Sequence, residues 1–200
     1  MQPDKALLLK CPFCGEEKKV LSLISGNTCQ GRQWSDMKRD YPMLPQVSPI
    51  QKCPSCGKYY YVKDVKKRKG DDYSSEKGNL TYQQLKEAAV QFGESLSKSD
   101  RLTLNILLLQ TYNDLYNREG VETTEAPEEE KAYIDTVLDE LLECKKVDDV
   151  VRVEFYRERG LFEDAIALLD KCHTKDGFLI KIVERMKQYA RNHKTIAFEI

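Results

Sequence analysis

The sequence has no run of 18 apolar residues, and its 200 residues include only two histidines and one tryptophan. Without such a run, we expect no segment to span a membrane. The histidines, His173 and His193, both lie near the C-terminus, far in sequence from the serines and cysteines of the N-terminal part. The first residues also lack the long apolar core and small-residue cleavage site of a signal peptide.

The composition is that of a globular chain, with 40% hydrophobic and 32% charged residues and a net charge of −1. This size and balance predict one or two domains. Basic residues are in excess over residues 1–79 and acidic residues over 80–200. The basic excess includes Lys58, Lys63 and the run Lys66 to Lys69, which is either a solvated face or a nucleic-acid footprint.

Two segments share the pattern C-P-x-C-G, with Cys11 and Cys14 in the first and Cys53 and Cys56 in the second. Two residues between the paired cysteines allow both sulfurs to face one pocket, and the glycine that follows tolerates positive φ. Four thiolates in a tetrahedron are the ligands of a closed structural zinc site. We therefore expect one structural zinc ion, with no open coordination position for catalysis.

The alternatives to zinc at the four cysteines are a redox dithiol, an iron site, or a set of unrelated buried or disulfide-bonded residues. A redox pair belongs beside a βαβ pattern, which is absent here. The 38 residues between Cys14 and Cys53 exceed the roughly 15–20 of compact four-cysteine sites, so the site carries a large insertion. The odd number of remaining cysteines, Cys29, Cys144 and Cys172, suits a reducing compartment, and we expect a cytoplasmic protein.

The two C-P-x-C-G segments and their flanking strands resemble a zinc ribbon of the rubredoxin-like kind. The motifs S-G-N-T, W-S-D and P-M-L-P between them resemble a family of uncharacterised bacterial zinc-ribbon proteins, over Cys11 to Val62. The chain departs from that family at Cys29, where a larger apolar residue is usual. The resemblance implies a fold and a metal site, and it implies no activity.

The insertion from Ser25 to Asp36 supplies hydroxyls, an amide, an indole and a carboxylate, but no histidine accompanies them. A serine or cysteine nucleophile needs a base. The simpler interpretation is that Asn27 and Asp36 cap turns and that Trp34 covers the core of the ribbon. We therefore do not expect an enzyme.

The C-terminal part is predicted to be helical. Residues 65–78 are charged, lack apolar periodicity and are expected to form a linker. The capping-box pattern from Thr81 to Gln84 starts a first helix, and five more follow with caps and apolar stripes at helical spacing. Their predicted ranges are about 100–119, 127–146, 148–159, 163–171 and 177–192, with an extended tail over 195–200.

Residues 145–177 resemble one tetratricopeptide repeat. The matching positions are Tyr156, Gly160, Phe162, Ala165, Leu169 and Cys172. Val153 stands where the repeat has a small residue, and Gly177 stands where it has proline. Since about three repeats are needed to bury a continuous core, we expect a compact bundle with repeat-like pairing.

These patterns predict an α+β protein with a zinc ribbon over 1–64, a charged linker over 65–78 and a tetratricopeptide-like helical domain over 79–200. The expected metal ligands are Cys11, Cys14, Cys53 and Cys56. The favoured function is a zinc-stabilised adaptor for a protein partner. The alternative is a nucleic-acid binder that stacks bases on exposed members of Tyr59, Tyr60 and Tyr61. No membrane partner is expected.

Overall fold

A computed structural model describes all of residues 1–200 and has a mixed α+β architecture, with short antiparallel strands in the N-terminal half and six helices after them. The chain forms two compact units. The first contains Met1–Arg32 and Asp40–Ser97, and the second contains Gln33–Arg39 and Lys98–Ile200. A seven-residue piece of the predicted insertion therefore belongs to the unit that holds most of the helices.

The strands are two to four residues long and pair in small sheets. They are β1 (Gln2–Pro3), β2 (Leu7–Lys10), β3 (Glu17–Val20), β4 (Leu23–Ser25), β5 (Arg32–Gln33), β6 (Arg39–Asp40), β7 (Ile50–Lys52), β8 (Tyr59–Tyr61) and β9 (Lys67–Lys69). The largest sheet has the order β3-β2-β9, and the other pairs are β1-β4, β5-β6 and β7-β8. Each C-P-x-C-G segment lies in a hairpin, between β2 and β3 or between β7 and β8.

A small apolar core supports the two hairpins of the first unit. Leu9 and Val20 are fully buried there with Tyr60, and the sulfur-bearing Cys11 and Cys53 pack in the same cluster. Further apolar residues of this unit, among them Ile50 and Leu85, are buried outside that cluster.

The first unit extends beyond the expected ribbon. Residues expected to form a linker include β9, which pairs with β2, and Glu76, whose carbonyl accepts from the Leu21 N–H at 2.7 Å. Helix α1 (Tyr82–Phe92) also belongs to this unit. Its Gln91 donates to the Tyr59 carbonyl at 2.8 Å and accepts from the Tyr59 N–H at 2.9 Å. The first unit therefore continues to Ser97, whereas local sequence patterns predict that the helical domain begins at residue 79.

The second unit holds the remaining helices, which are α2 (Lys98–Tyr116), α3 (Glu128–Glu143), α4 (Asp149–Glu158), α5 (Phe162–Leu169) and α6 (Gly177–Arg191). Several predicted helix ends are confirmed. Asp148 caps α4 by accepting from the Val150 N–H at 3.0 Å, and Gly160 follows α4 with φ +81°. In α1 the predicted capping box is present, with both Thr81–Gln84 hydrogen bonds formed.

One core cluster of the second unit lies where α4, α5 and α6 pack together, and residues of α2 and α3 such as Leu108 and Leu138 are buried as well. Val153, Ala165 and Phe198 are fully buried in that cluster. The C-terminal tail is extended as predicted, with bridges from Ala197 to Arg118 and from Glu199 to Trp34. Ala165 therefore lies in a tightly packed position, although this packing by itself does not establish a tetratricopeptide repeat.

Candidate metal centre and the buried ionic network

The two C-P-x-C-G segments form turns of the same geometry. Gly15 has φ +81° and Gly57 has φ +71°, a conformation that glycine adopts without a Cβ penalty. The Gly15 N–H donates to the Cys11 carbonyl and the Gly57 N–H to the Cys53 carbonyl, both at 3.0 Å. The local sequence therefore directs the two sulfurs of each pair to one side.

The four predicted cysteine ligands come together. Their Sγ atoms all lie within 4.8 Å of one another. The Cys11 and Cys56 sulfurs are 3.8 Å apart, and the Cys14 and Cys53 sulfurs are 3.6 Å apart. Cys11 and Cys53 are buried, whereas Cys14 and Cys56 are exposed. Such a cluster can hold one metal ion.

The sulfurs influence one another's ionisation. Burial raises the pKa of Cys11, but the N–H groups of Cys14 and Phe13 and neighbouring thiols lower it to about 7. At Cys14 the Glu16 N–H lowers the pKa, but burial and the other three cysteines raise it to about 12. One thiolate thus suppresses ionisation of its neighbours, and a bound cation relieves that competition.

The other three cysteines lie outside the cluster and form no disulfide. Cys29 is exposed, and Cys144 and Cys172 are half-buried. As expected, the structure brings four cysteines together and leaves the other three apart from them.

The prediction that Trp34 of the W-S-D segment covers the ribbon core is wrong, because this segment belongs to the second unit. Trp34 is buried in the second unit, where the Arg118 guanidinium lies 4.5 Å from the centre of its ring. Asp36 caps a turn as expected, since its Oδ1 accepts from the Lys38 N–H at 3.1 Å. Its Oδ2 accepts from Arg118 at 2.7 Å and from Asn113 at 3.0 Å.

Ser35 also belongs to this buried network. Its Oγ donates to Glu154 Oε1 at 2.5 Å and accepts from the Phe198 N–H at 3.0 Å. Arg157 pairs with Glu154 through two hydrogen bonds and donates to the Lys194 carbonyl at 2.6 Å. Ser35 is only 3% exposed, so its hydroxyl is shielded from solvent. Its hydrogen bond to Glu154 holds the segment against α4.

Sequence patterns missed most of this network. Its charged and amide members on the helices or just beyond them are Asn113, Arg118, Glu154, Arg157 and Glu158, all at most 8% exposed. The available signal was the placement of Glu154 and Arg157 three residues apart beside the apolar positions of α4. Charged pairs at this spacing are far more often surface features, so that signal was weak.

The remaining polar residues of the insertion stay in the first unit. Asn27 caps a turn as expected, since its Oδ1 accepts from the Cys29 N–H at 3.0 Å. Ser25, Asn27 and Thr28 are exposed. Of the two histidines, His193 lies against the Phe162 ring, with the ring centres 5.0 Å apart.

The tyrosines and basic residues that the sequence offers for nucleic-acid binding are buried or paired in the structure. Tyr59, Tyr60 and Tyr61 are all at most 5% exposed, so the expectation that one of them stacks on a base is wrong. The strand β9 carries exposed cations, but Arg68 pairs with Glu17 at 2.5 Å and Lys69 pairs with Asp4 at 2.9 Å. Both pairs reduce the positive charge that this edge offers to phosphate.

Comparison with protein-family models, with curated proteins and with solved structures found no significant match to this chain. The resemblance to bacterial zinc-ribbon proteins therefore rests on the residue motifs alone. No helix combines the length and apolarity needed to cross a bilayer.

Proposed function

We propose that this chain binds one structural zinc ion through Cys11, Cys14, Cys53 and Cys56 and acts as an adaptor for a protein partner. The main support for zinc is the set of distances between the four sulfur atoms. Zinc–sulfur bonds of about 2.3 Å at tetrahedral angles separate the sulfurs by ~3.8 Å. Two of the sulfur–sulfur separations in this cluster are 3.6 and 3.8 Å, and none exceeds 4.8 Å.

The donor set favours structural over catalytic use of the metal. Four thiolates fill a tetrahedral site, whereas catalytic zinc keeps a position for water or substrate. Both hairpins contribute two ligands each, so the metal joins segments that are 45 residues apart at Cys11 and Cys56. Because the four ligands come together only in the folded chain, the free energy of metal binding adds directly to the stability of the fold.

Native mass spectrometry with metal analysis tests the zinc proposal. We expect one zinc per chain in the wild type and in Cys29→Ser, and none in Cys14→Ser. Cys29→Ser is the matched control because it changes an exposed cysteine of the same unit. Loss of the metal from Cys29→Ser, or iron in place of zinc, contradicts the assignment.

Chelation provides a second test because the single tryptophan reports on one unit. Trp34 belongs to the second unit, whereas the four expected ligand cysteines belong to the first. Structural zinc contributes on the order of 10 kcal/mol to small domains. We therefore expect a chelator to unfold the first unit, with a loss of β-structure in circular dichroism, while tryptophan fluorescence changes little.

The adaptor part of the proposal is supported by an exposed apolar run at the start of α6. Phe178, Leu179 and Ile180 are consecutive, and they are 58%, 37% and 39% exposed. Contiguous exposed apolar residues mark interaction surfaces more often than single ones do. The double variant Phe178→Ser with Ile180→Ser should lose a specific partner in affinity capture from host cells.

The matched control for the capture experiment is Val90→Ser, which removes an apolar side chain that is 84% exposed on α1. We expect this variant to retain the partner. Equal capture by the wild type and by the α6 double variant contradicts the adaptor surface.

A further inference from the structure

The second unit contains a pocket that the metal site and the adaptor proposal leave unexplained. Its volume is about 370 Å³, and α2, α3, α4 and the chain after α2 contribute to its walls. Leu109, Ile134 and Leu138 give it apolar surface, and the rings of Tyr112 and Tyr116 lie against each other with their centres 5.1 Å apart. A cavity of this size suits a small organic molecule.

Glu158 is the feature of this pocket that points to a ligand. It lines the pocket and is only 8% exposed. Its Oε2 accepts from Asn113 at 2.9 Å, but its Oε1 receives no hydrogen bond from a protein donor, and the neighbouring carboxyl group is that of Glu154. A buried carboxylate without a cation is costly.

The cations that line the pocket are already paired elsewhere. Arg159 contacts Asp135 at 3.3 Å and Asp139 at 2.9 Å. Lys131 contacts Glu128 at 2.9 Å and Glu125 at 3.6 Å. Both side chains therefore contact carboxylates other than Glu158.

The network behind Glu158 also lacks a positive charge. Asp36 pairs with Arg118, and Glu154 pairs with Arg157. Glu158 is the third buried carboxylate beside two buried guanidinium groups. One further positive charge, from a proton or from a ligand, balances the cluster.

We propose that this pocket binds a small organic cation, a primary amine or a guanidine, with Glu158 as its counter-ion and the tyrosine and aliphatic side chains around its apolar part. The aromatic rings favour such a ligand because cations are attracted to ring faces. An anionic ligand is disfavoured, since it adds negative charge beside Glu158. The proposal does not depend on the metal site.

Ionisation of Glu158 links binding to pH. Burial raises the pKa of Glu158 well above its ordinary value. The charges of Glu154 and Asp36 and a hydrogen bond with the Glu154 carboxyl group raise it further, while Arg157 lowers it. The other charged groups lining the pocket are Glu125, Lys131, Asp135 and Arg159. A cation that binds beside Glu158 favours the ionised form, so binding releases a proton and strengthens as the pH rises.

The probes are benzylamine, butylamine and agmatine, with benzyl alcohol and benzoate as the neutral and anionic counterparts of benzylamine. Binding is measured by calorimetry and ligand-observed NMR between about pH 5.5 and 8, where the amines keep their charge. We expect at least one amine to bind in preference to the alcohol and to benzoate. Its affinity should rise with pH, with a proton released into the buffer.

The variant Glu158→Gln keeps the shape of the side chain and removes its charge, so we expect it to fold and to bind the amine about tenfold more weakly or worse. Its affinity should no longer depend on pH. Glu163→Gln is the matched control because it makes the same change at an exposed carboxylate of α5 that does not line the pocket. It should bind like the wild type.

Three results overturn the proposal: no binding by any of the amines at millimolar concentration, equal binding of benzylamine and benzyl alcohol, or equal losses in Glu158→Gln and Glu163→Gln. Tryptophan fluorescence and circular dichroism establish whether Glu158→Gln is folded. If this variant is unfolded, the test is proton release when the wild type binds the amine. Binding without proton release rejects Glu158 as the counter-ion.

Discussion

Arg118 Nη2 donates to Asp36 Oδ2 across 2.7 Å, and neither side chain is more than 2% exposed. The two residues are 82 positions apart, and both belong to the second unit. This pair holds the W-S-D segment, which lies in sequence between the two C-P-x-C-G segments, within the helical unit. The segment therefore contributes to the stability of that unit.

Replacing Asp36 by alanine should destabilise the second unit by about 3–5 kcal/mol, because it removes the fully buried partner of the Arg118 charge and leaves only the partly solvated Asp114. The measurement is denaturant unfolding followed by Trp34 fluorescence. The double variant Asp36→Leu with Arg118→Met should be less destabilised than the sum of the single variants.

The control for this prediction is Asp114→Ala, which also removes a carboxylate that contacts Arg118, at 2.6 Å from Nε. Asp114 is 34% exposed, and partly solvated ion pairs contribute about 1 kcal/mol or less. Equal destabilisation by the two alanine variants would show that burial of the Asp36 pair is unimportant.

Glu158 should make the second unit less stable as the pH rises. Its pKa is raised in the folded state, so the folded chain holds a proton that the unfolded chain releases above about pH 4.5. Stability therefore falls from that pH up to the raised pKa. Unfolding of the wild type and of Glu158→Gln across this range should show a flatter profile for the variant. A parallel pH dependence of the two proteins contradicts the assignment.

Ala165→Leu should destabilise the second unit by about 1–3 kcal/mol, because overpacking a filled core forces neighbours out of place. Ala165 is fully buried in a cluster with Val153 and Leu169. Thermal unfolding measures the effect. The same substitution at Ala132, a position of α3 outside the buried core, should change stability by only about 0.5 kcal/mol. An unchanged melting temperature for Ala165→Leu would contradict the packing of α4 against α5.

Replacing Lys66, Lys67, Arg68 and Lys69 by serine tests the nucleic-acid alternative. These side chains are exposed, and each phosphate contact contributes about 0.9 to the slope of log affinity against log salt. We expect the wild type to show no tight, salt-dependent binding of a generic oligonucleotide and the variant to keep partner capture.

The control replaces four exposed lysines of the second unit by serine, at positions 145, 146, 171 and 175. It makes a comparable change in net charge away from β9. Tight binding that weakens steeply with salt, and that is lost only in the β9 variant, would instead establish nucleic acid as the ligand.

The amino-acid sequence by itself determined the features that depend on neighbouring residues. The two-residue spacing in Cys11–Cys14 and Cys53–Cys56 predicts sulfurs that face one way, and the glycines after them permit the turn. The Thr81 capping box and the end of α4 before Gly160 are likewise local. Each depends on hydrogen bonds or dihedral angles within a few residues, so a pattern can reveal it.

Only the tertiary structure decided which unit each segment joins. The charged run that contains β9 pairs with β2, and α1 belongs to the first unit through Tyr59 and Gln91. Asp36 finds Arg118 in the second unit. The free energy of such contacts comes from burial and charge pairing between distant residues. A carboxylate that caps an exposed turn and a carboxylate that neutralises a buried arginine look alike in sequence. They differ only in the partner that folding brings to each of them.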